Sequence, residues 1–243
     1  IIVCSVFLFL PSFLTAQADL KDLEKISKSY KDAGSYQFDL YYSIFNDYHT
    51  RQKADEFTMN IFSNGDEYYC KGNESEMLIN ASYTLIVDHE NKVVMIDKYE
   101  KKEKKKDNMF EEVGMDSLLQ QITAQVKKKE PEITSEQKNI NEQEKQYIFN
   151  YSDGEYTMVK INYDAASFLI KKMTLYYREK TETTEGQPET TPRVEIIYAH
   201  TILHPQFDKK VFSEKKYAEV KNDGQLELRA ELKNYKVINH LLK

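Results

Sequence analysis

Two histidines, His200 and His204, stand four residues apart, the interval at which a pair of imidazoles shares one face of a helix and can grip a transition metal. Their surroundings argue against that chemistry. The run from Arg193 to His204 reads as a strand. On a strand, side chains four positions apart point the same way but sit about 13 Å apart along the chain, too far to share one ion. Cysteine offers no better ligand set, because Cys4 lies in an apolar leader and Cys70 stands alone in the rest of the chain. Cys70 alternates with Tyr68 and reads as a small buried hydrophobe on a strand. No histidine forms a recognisable pair with it that would make it a nucleophile. Among 40 Asp and Glu residues, no pair can be told from solvated carboxylates as an acid and its base. There is no Gly-rich phosphate loop, no Gly-x-Ser-x-Gly elbow and no His-Glu-x-x-His helix. The expectation is a protein that is not an enzyme and holds neither metal nor cofactor.

Residues 1 to 18 point to the compartment. The apolar run from Ile1 to Leu14, interrupted by Pro11, ends in the small-residue tripeptide Ala16-Gln17-Ala18 and carries no Asp, Glu, Lys, Arg or His. It is too short to cross a bilayer comfortably and reads as a signal peptide removed before Asp19, so the protein is expected to be exported, periplasmic or secreted. Cys4 lacks the preceding Leu-x-small triplet of a lipoprotein signal. The formal charge of −6 falls entirely on the remainder, which argues against nucleic acid as a partner. With one cysteine left, no internal disulfide can form, and a chain of about 220 residues can bury a core without one.

The elements that would position any site are mostly strands. Eighteen Tyr and twelve Phe accompany only seven Gly and five Pro, a balance that favours long strands joined by Asn, Asp and Lys turns. Tyr36, Phe38, Leu40, Tyr42 and Ile44 alternate with polar Gln37, Asp39 and Ser43, so one face of that strand is buried. The same alternation runs through Phe57, Met59 and Ile61, then past the Asn64-Gly65 turn through Tyr68 and Cys70, Met77 and Ile79, Leu85 and Val87, and Val94 and Ile96. Strands resume after Glu144, with an Asp153-Gly154 hairpin turn, a strand from Phe168 to Lys180 and one from Arg193 to His204. The wholly polar 181–192 segment between the last two reads as an exposed loop. Residues 225–232 fit a strand or a helix equally well. Two helices break this pattern. Leu20, Leu23, Ile26, Ser27 and Tyr30 recur at helical spacing after a potential cap at Asp19 and stop near Gly34. Leu118, Leu119, Ile122 and Val126 mark a second helix from Ser117 to Lys129, with Pro131 beyond. The basic run from Lys101 to Lys106 reads as a soluble hairpin tip.

This order of elements resembles the periplasmic outer-membrane lipoprotein carriers and their LolA/LolB-like relatives. The local echoes are Ile161-Asn-Tyr-Asp164 followed by Phe168-Leu-Ile170-Lys-Lys and the strand to Tyr177, then His204-Pro205-Gln-Phe207 and Phe212. The chain departs from the carriers in having no Trp and in its long Thr/Glu loop. The resemblance implies one α+β domain over residues 19–243, built on a strongly curved antiparallel sheet, an unclosed half-barrel of about ten strands with helices on its concave side. It also implies a concave apolar cavity that shields lipid or lipoprotein acyl chains in transit through water. The side chains expected to line it are Phe38, Leu40, Tyr42, Phe57, Met59, Ile61, Met77, Ile79, Leu85 and Val87. Membrane proteins of the envelope would be the further partners of such a carrier, acting as a monomer. The alternative is a non-enzymatic envelope module that uses the same fold, its concave face filled by the second helix, to bind a protein.

Overall fold

The computed structural model describes residues 20–99, 133–179 and 191–241. The leader 1–18, the basic run Lys101–Lys106, the expected helix Ser117–Lys129, Lys180 and residues 181–190 of the polar loop lie outside them.

Helix α1 spans Lys21–Ala33. Leu23, Ile26 and Tyr30 make its buried stripe, each at most 1% exposed. Asp22 and Glu24 occupy the first turn and Lys31 the last, both favourable to the helix dipole. Asp19, the expected cap, lies outside the described residues; Leu20 holds the cap position and makes no side-chain capping bond. Gly34 ends the helix with φ 65°, a left-handed conformation that a Cβ would disfavour.

The strands, in chain order, are β1 Ser35–Phe45, β2 Asp55–Asn64, β3 Glu67–Gly72, β4 Ser75–Ile79, β5 Tyr83–Asp88, β6 Val93–Lys98, β7 Ile133–Asn139, β8 Glu144–Tyr151, β9 Tyr156–Asp164, β10 Ile170–Tyr177, β11 Arg193–Leu203, β12 Ala218–Val220, β13 Leu226–Leu228 and β14 Lys236–Asn239. Twelve form one sheet in the order β14-β6-β5-β4-β3-β2-β1-β11-β10-β9-β8-β7. All its pairings are antiparallel except β14 with β6. The sheet does not close, since β14 and β7 are its edges. Two meanders, β1–β6 and β7–β11, are thus joined through the β1–β11 ladder. Strands β12 and β13 form a separate ribbon.

Several expectations need correction. Among the described residues the sheet has twelve strands, not about ten. Strand β7 was not foreseen, because only Ile133 and Ser135 of its seven residues are buried and its sequence shows little apolar alternation. Phe168 is not in a strand: it sits in a turn with φ 59°, and β10 starts two residues later. Asp164 builds that turn, accepting hydrogen bonds from the Ala166 and Ser167 amides and the Ser167 hydroxyl. Residues 225–232 divide between strand β13 and a 3₁₀ turn at Ala230–Leu232. One α-helix, α1, is present among the described residues.

Directly opposed residues in a ladder share a face of the sheet, and the registers reveal two cores on opposite faces. The first lies under α1. It holds Phe38, Leu40 and Ile61 together with Tyr147, Phe149, Ile161, Tyr163, Met173 and Ile196. The second lies on the other face at the other end, where Tyr69, Leu78, Leu85, Val87, Val94 and Ile96 meet Phe212, Tyr217 and Leu232 of the C-terminal segment.

Candidate functional site

Strands β4 to β6 carry apolar residues at consecutive positions: Met77-Leu78-Ile79, Leu85-Ile86-Val87 and Val93-Val94-Met95-Ile96. A strand with one wet face would alternate with polar residues, so these strands are built to be covered on both sides. One side is accounted for. Leu78, Leu85, Val87, Val94 and Ile96 are each 0% exposed beneath the C-terminal segment. A polar clamp holds that segment down. The Glu76 carboxylate accepts hydrogen bonds from Tyr69 at 2.5 Å and from Tyr217, and contacts His89 Nε2 at 3.1 Å. The other imidazole nitrogen meets the Tyr235 hydroxyl at 3.1 Å. Burial alone would raise the Glu76 pKa, but bonds from Tyr217, Tyr69 and His89 outweigh it and hold the carboxyl below its ordinary range. The Lys216 ammonium lies over the Tyr69 ring, 3.3 Å from its centroid, and burial lowers its pKa to about 8. Asn80 donates to the Phe212 carbonyl at 3.1 Å and to Glu214 at 2.9 Å.

The opposite side of the same strands is different. Met77, Ile79, Ile86 and Met95 point there, are half-buried, and belong to neither core cluster of the described residues. Met59, Tyr68 and Cys70 continue the surface toward α1 and pack against the edge of the first core. Cys70 Sγ lies 3.5 Å from Met59 Sδ. A Cβ on Gly72 would stand 3.7 Å from Met59 Cγ, so the Met59 side chain lies across β3. Burial pushes the Cys70 thiol up to about 11 and the Tyr42 phenol up to about 12, and raises Tyr68 as well. These groups are therefore neutral at physiological pH, and the thiol is a poor nucleophile. The three thioethers, Met59, Met77 and Met95, are flexible and polarisable, suited to an occupant of irregular shape.

Eight of the ten residues expected to line a cavity share this face. Phe38 opposes Ile61, Leu40 opposes Met59 and Tyr42 opposes Phe57; Ile61 opposes Cys70, which opposes Met77, with Tyr68 opposite Ile79. Of the eight, Phe38, Leu40 and Ile61 are buried in the core under α1, whereas Phe57 is 37% exposed. The other two are placed elsewhere. Leu85 opposes Leu78, and with Val87 it lies in the second core on the reverse face. The turn after β4 sets this register; Asn80 Oδ1 accepts from the Ser82 and Tyr83 amides at 2.9 Å. Sequence reasoning missed Ile86 and Met95. The available signal was the unbroken apolar run in β5 and β6, which has no period and points to cover on both sides.

The histidine pair is separated by backbone geometry. The β1–β11 register shifts between Gln37 and Asp39, and His200 has φ 52° there, the mark of a bulge. Its Nδ1 lies 2.7 Å from Asp39 Oδ2 on the surface. Among the described residues, no three His, Cys, Asp or Glu side chains converge to hold a metal.

No family model matches the chain, and no curated protein matches it. Among solved structures it is similar to a LolA superfamily protein from Nitrosomonas europaea, at 10% identity and a TM-score of 0.34 over 80% of this chain and 97% of that one. It is also similar to a putative outer membrane lipoprotein-sorting protein domain from Vibrio parahaemolyticus, at 11% identity and a TM-score of 0.38 over 81% and 97% of the two chains. A third match is the Mycobacterium tuberculosis lipoprotein LppX, at 7% identity and a TM-score of 0.35 over 78% and 99%.

Proposed function

We propose that this chain is an exported lipid-binding protein that shields an acyl group of a lipid or lipoprotein against the face formed by Met59, Cys70, Met77, Ile79, Ile86 and Met95. The supporting observation is the two-sided apolar character of β4 to β6. One side is sealed by the C-terminal segment, and the other presents a half-buried, methionine-rich apolar band outside both cores, with Asp88 and Asp97 at its margins. Binding an acyl chain requires no catalytic group. Apolar area removed from water contributes roughly 25 cal/mol per Å², which is the driving force such a face offers an acyl chain. Export agrees with the leader at residues 1–18. Transfer between membranes is the task that such shielding serves, and the sequence resemblance to the lipoprotein carriers points the same way.

Organic extraction of natively purified protein, followed by mass spectrometry of the extract, tests the reading. A stoichiometric acylated species is the expected result. An empty extract, together with no saturable binding of a fluorescent fatty acid, overturns it and leaves a protein-binding module of the same fold.

A further inference from the structure

If the face binds acyl groups as proposed above, the sheet register also says how long a chain it holds and which way round. Ile61, Cys70, Met77, Ile86, Met95 and Ile238 are successive cross-strand partners from β2 to β14. Their side chains make one uncharged line running across the strands. The line is closed at one end, where Ile61 is 2% exposed and joins Phe38 in the core under α1. There the Tyr36 ring stacks on Phe38 and meets Tyr30 edge-on. Among the described residues it is open at the other end. Ile238 is half-buried on the edge strand β14, and His240 and Asp97 lie nearby, with Nδ1 and Oδ2 3.7 Å apart and both side chains at least half exposed.

We propose that this line is a ruler for a single saturated acyl chain of about 16 carbons, its methyl end against Ile61 and its polar head beyond Ile238 at the β14 edge. From Cys70 to Ile238 there are four strand spacings, about 19 Å along the sheet. An extended hydrocarbon advances about 1.25 Å per carbon, from a bond of about 1.5 Å and an angle near 111°. Roughly fifteen bonds therefore fill the line. A shorter chain leaves apolar surface wet at the open end. A longer one extends its extra methylenes past the sheet, where they gain little.

Saturated fatty acids of about 10 to 20 carbons, displacing a fluorescent fatty acid from the full chain, test the ruler. Affinity should rise roughly fourfold per methylene, equivalent to about 0.8 kcal/mol, and level off near 16 carbons. Ile86→Trp blocks the line midway and should move the plateau to about 10 carbons or fewer; Met77→Phe, one strand further in, should move it to about 12 and serves if that variant does not fold. Ile197→Trp is the control, since Ile197 is 43% exposed and opposes Tyr41 on the reverse face, and it should leave the plateau in place. Saturable binding whose affinity keeps climbing to the longest acid, or whose plateau ignores both blocking variants, overturns the ruler while acyl binding stands. No saturable displacement by any length overturns both.

Discussion

The Tyr163 hydroxyl on β9 donates a 2.9 Å hydrogen bond to the Asp22 carboxylate in the first turn of α1. The same oxygen of Asp22 also receives Lys145 and Gln137, each at 3.0 Å. This junction docks the helix on the far half of the sheet. Burial opposes ionisation of Asp22, but the bonds from Lys145, Tyr163 and Lys25 prevail and bring its pKa down to about 2 from 3.8. The unfolded chain therefore takes up this proton first as pH falls. The contribution of Asp22 is complete above about pH 4 and is lost as pH drops toward 2. Asp22→Asn should cost about 1 to 3 kcal/mol at pH 6, measured by urea unfolding, and the gap from wild type should narrow on acidification to pH 2.

Leu85 and Met59 should respond in opposite ways. Leu85 is 0% exposed in the second core, so Leu85→Ala is expected to lose about 2 to 5 kcal/mol of stability while the folded fraction still binds a fatty-acid probe normally. Met59 is half-buried on the candidate face. Met59→Gln should weaken probe binding several-fold at a stability cost of about 1 kcal/mol. Equal loss of both properties in both variants would show that the two faces are not functionally distinct.

Removing Glu76 should free the C-terminal segment first. Its carboxylate meets Tyr69, Tyr217 and His89, so Glu76→Ala leaves two part-buried phenols without their acceptor and should cost about 2 to 3 kcal/mol. Limited proteolysis is expected to cut between Phe207 and Leu241 well before it reaches α1 or β1. Simultaneous digestion of both ends would mean that the clamp is no weaker than the rest of the fold.

Export is expected to remove residues 1–18. N-terminal sequencing of protein recovered from the exported fraction should begin at Asp19, or at Gln17 if processing follows Ala16. Material retaining Ile1 in a membrane fraction would contradict the leader assignment.

Where the hydrophobic pattern has a period, structure was legible. The stripe Leu23, Ile26 and Tyr30 placed α1, and alternation from Tyr36 to Ile44 placed β1 and, as far as Leu40, its buried face; beyond that the buried residues are Ser43 and Phe45 on the other side. Asp153-Gly154 marked the β8–β9 hairpin turn, where Gly154 has φ 90°. Legibility failed where period vanishes. In β5 and β6, adjacent apolar residues carry no record of which side is which, so Leu85 and Val87 were assigned by parity to the face that Ile86 occupies. Strand β14, four residues long, owes its place to backbone pairing with β6 and not to any pattern of its own. Of the ten residues picked out by alternation, eight share one face of the sheet, and Met59, Met77 and Ile79 among them fall on the proposed face; the line reaching the sheet edge exists only in the register.

The position of the C-terminal segment bears on how such a chain folds as it emerges. Threaded out amino end first, strands β3 to β6 emerge more than a hundred residues before Phe212, Tyr217 and Leu232, which cover one of their faces. During that interval both surfaces of the meander are wet and greasy, and its outer edge has no β14 to pair with. Contacts so distant in sequence form slowly, and exposed strands of this kind invite association with other chains. The newborn protein is thus most dependent on a holding chaperone just before the segment from Phe207 onward arrives, and a chain cut short before Phe207 would be expected to aggregate rather than fold.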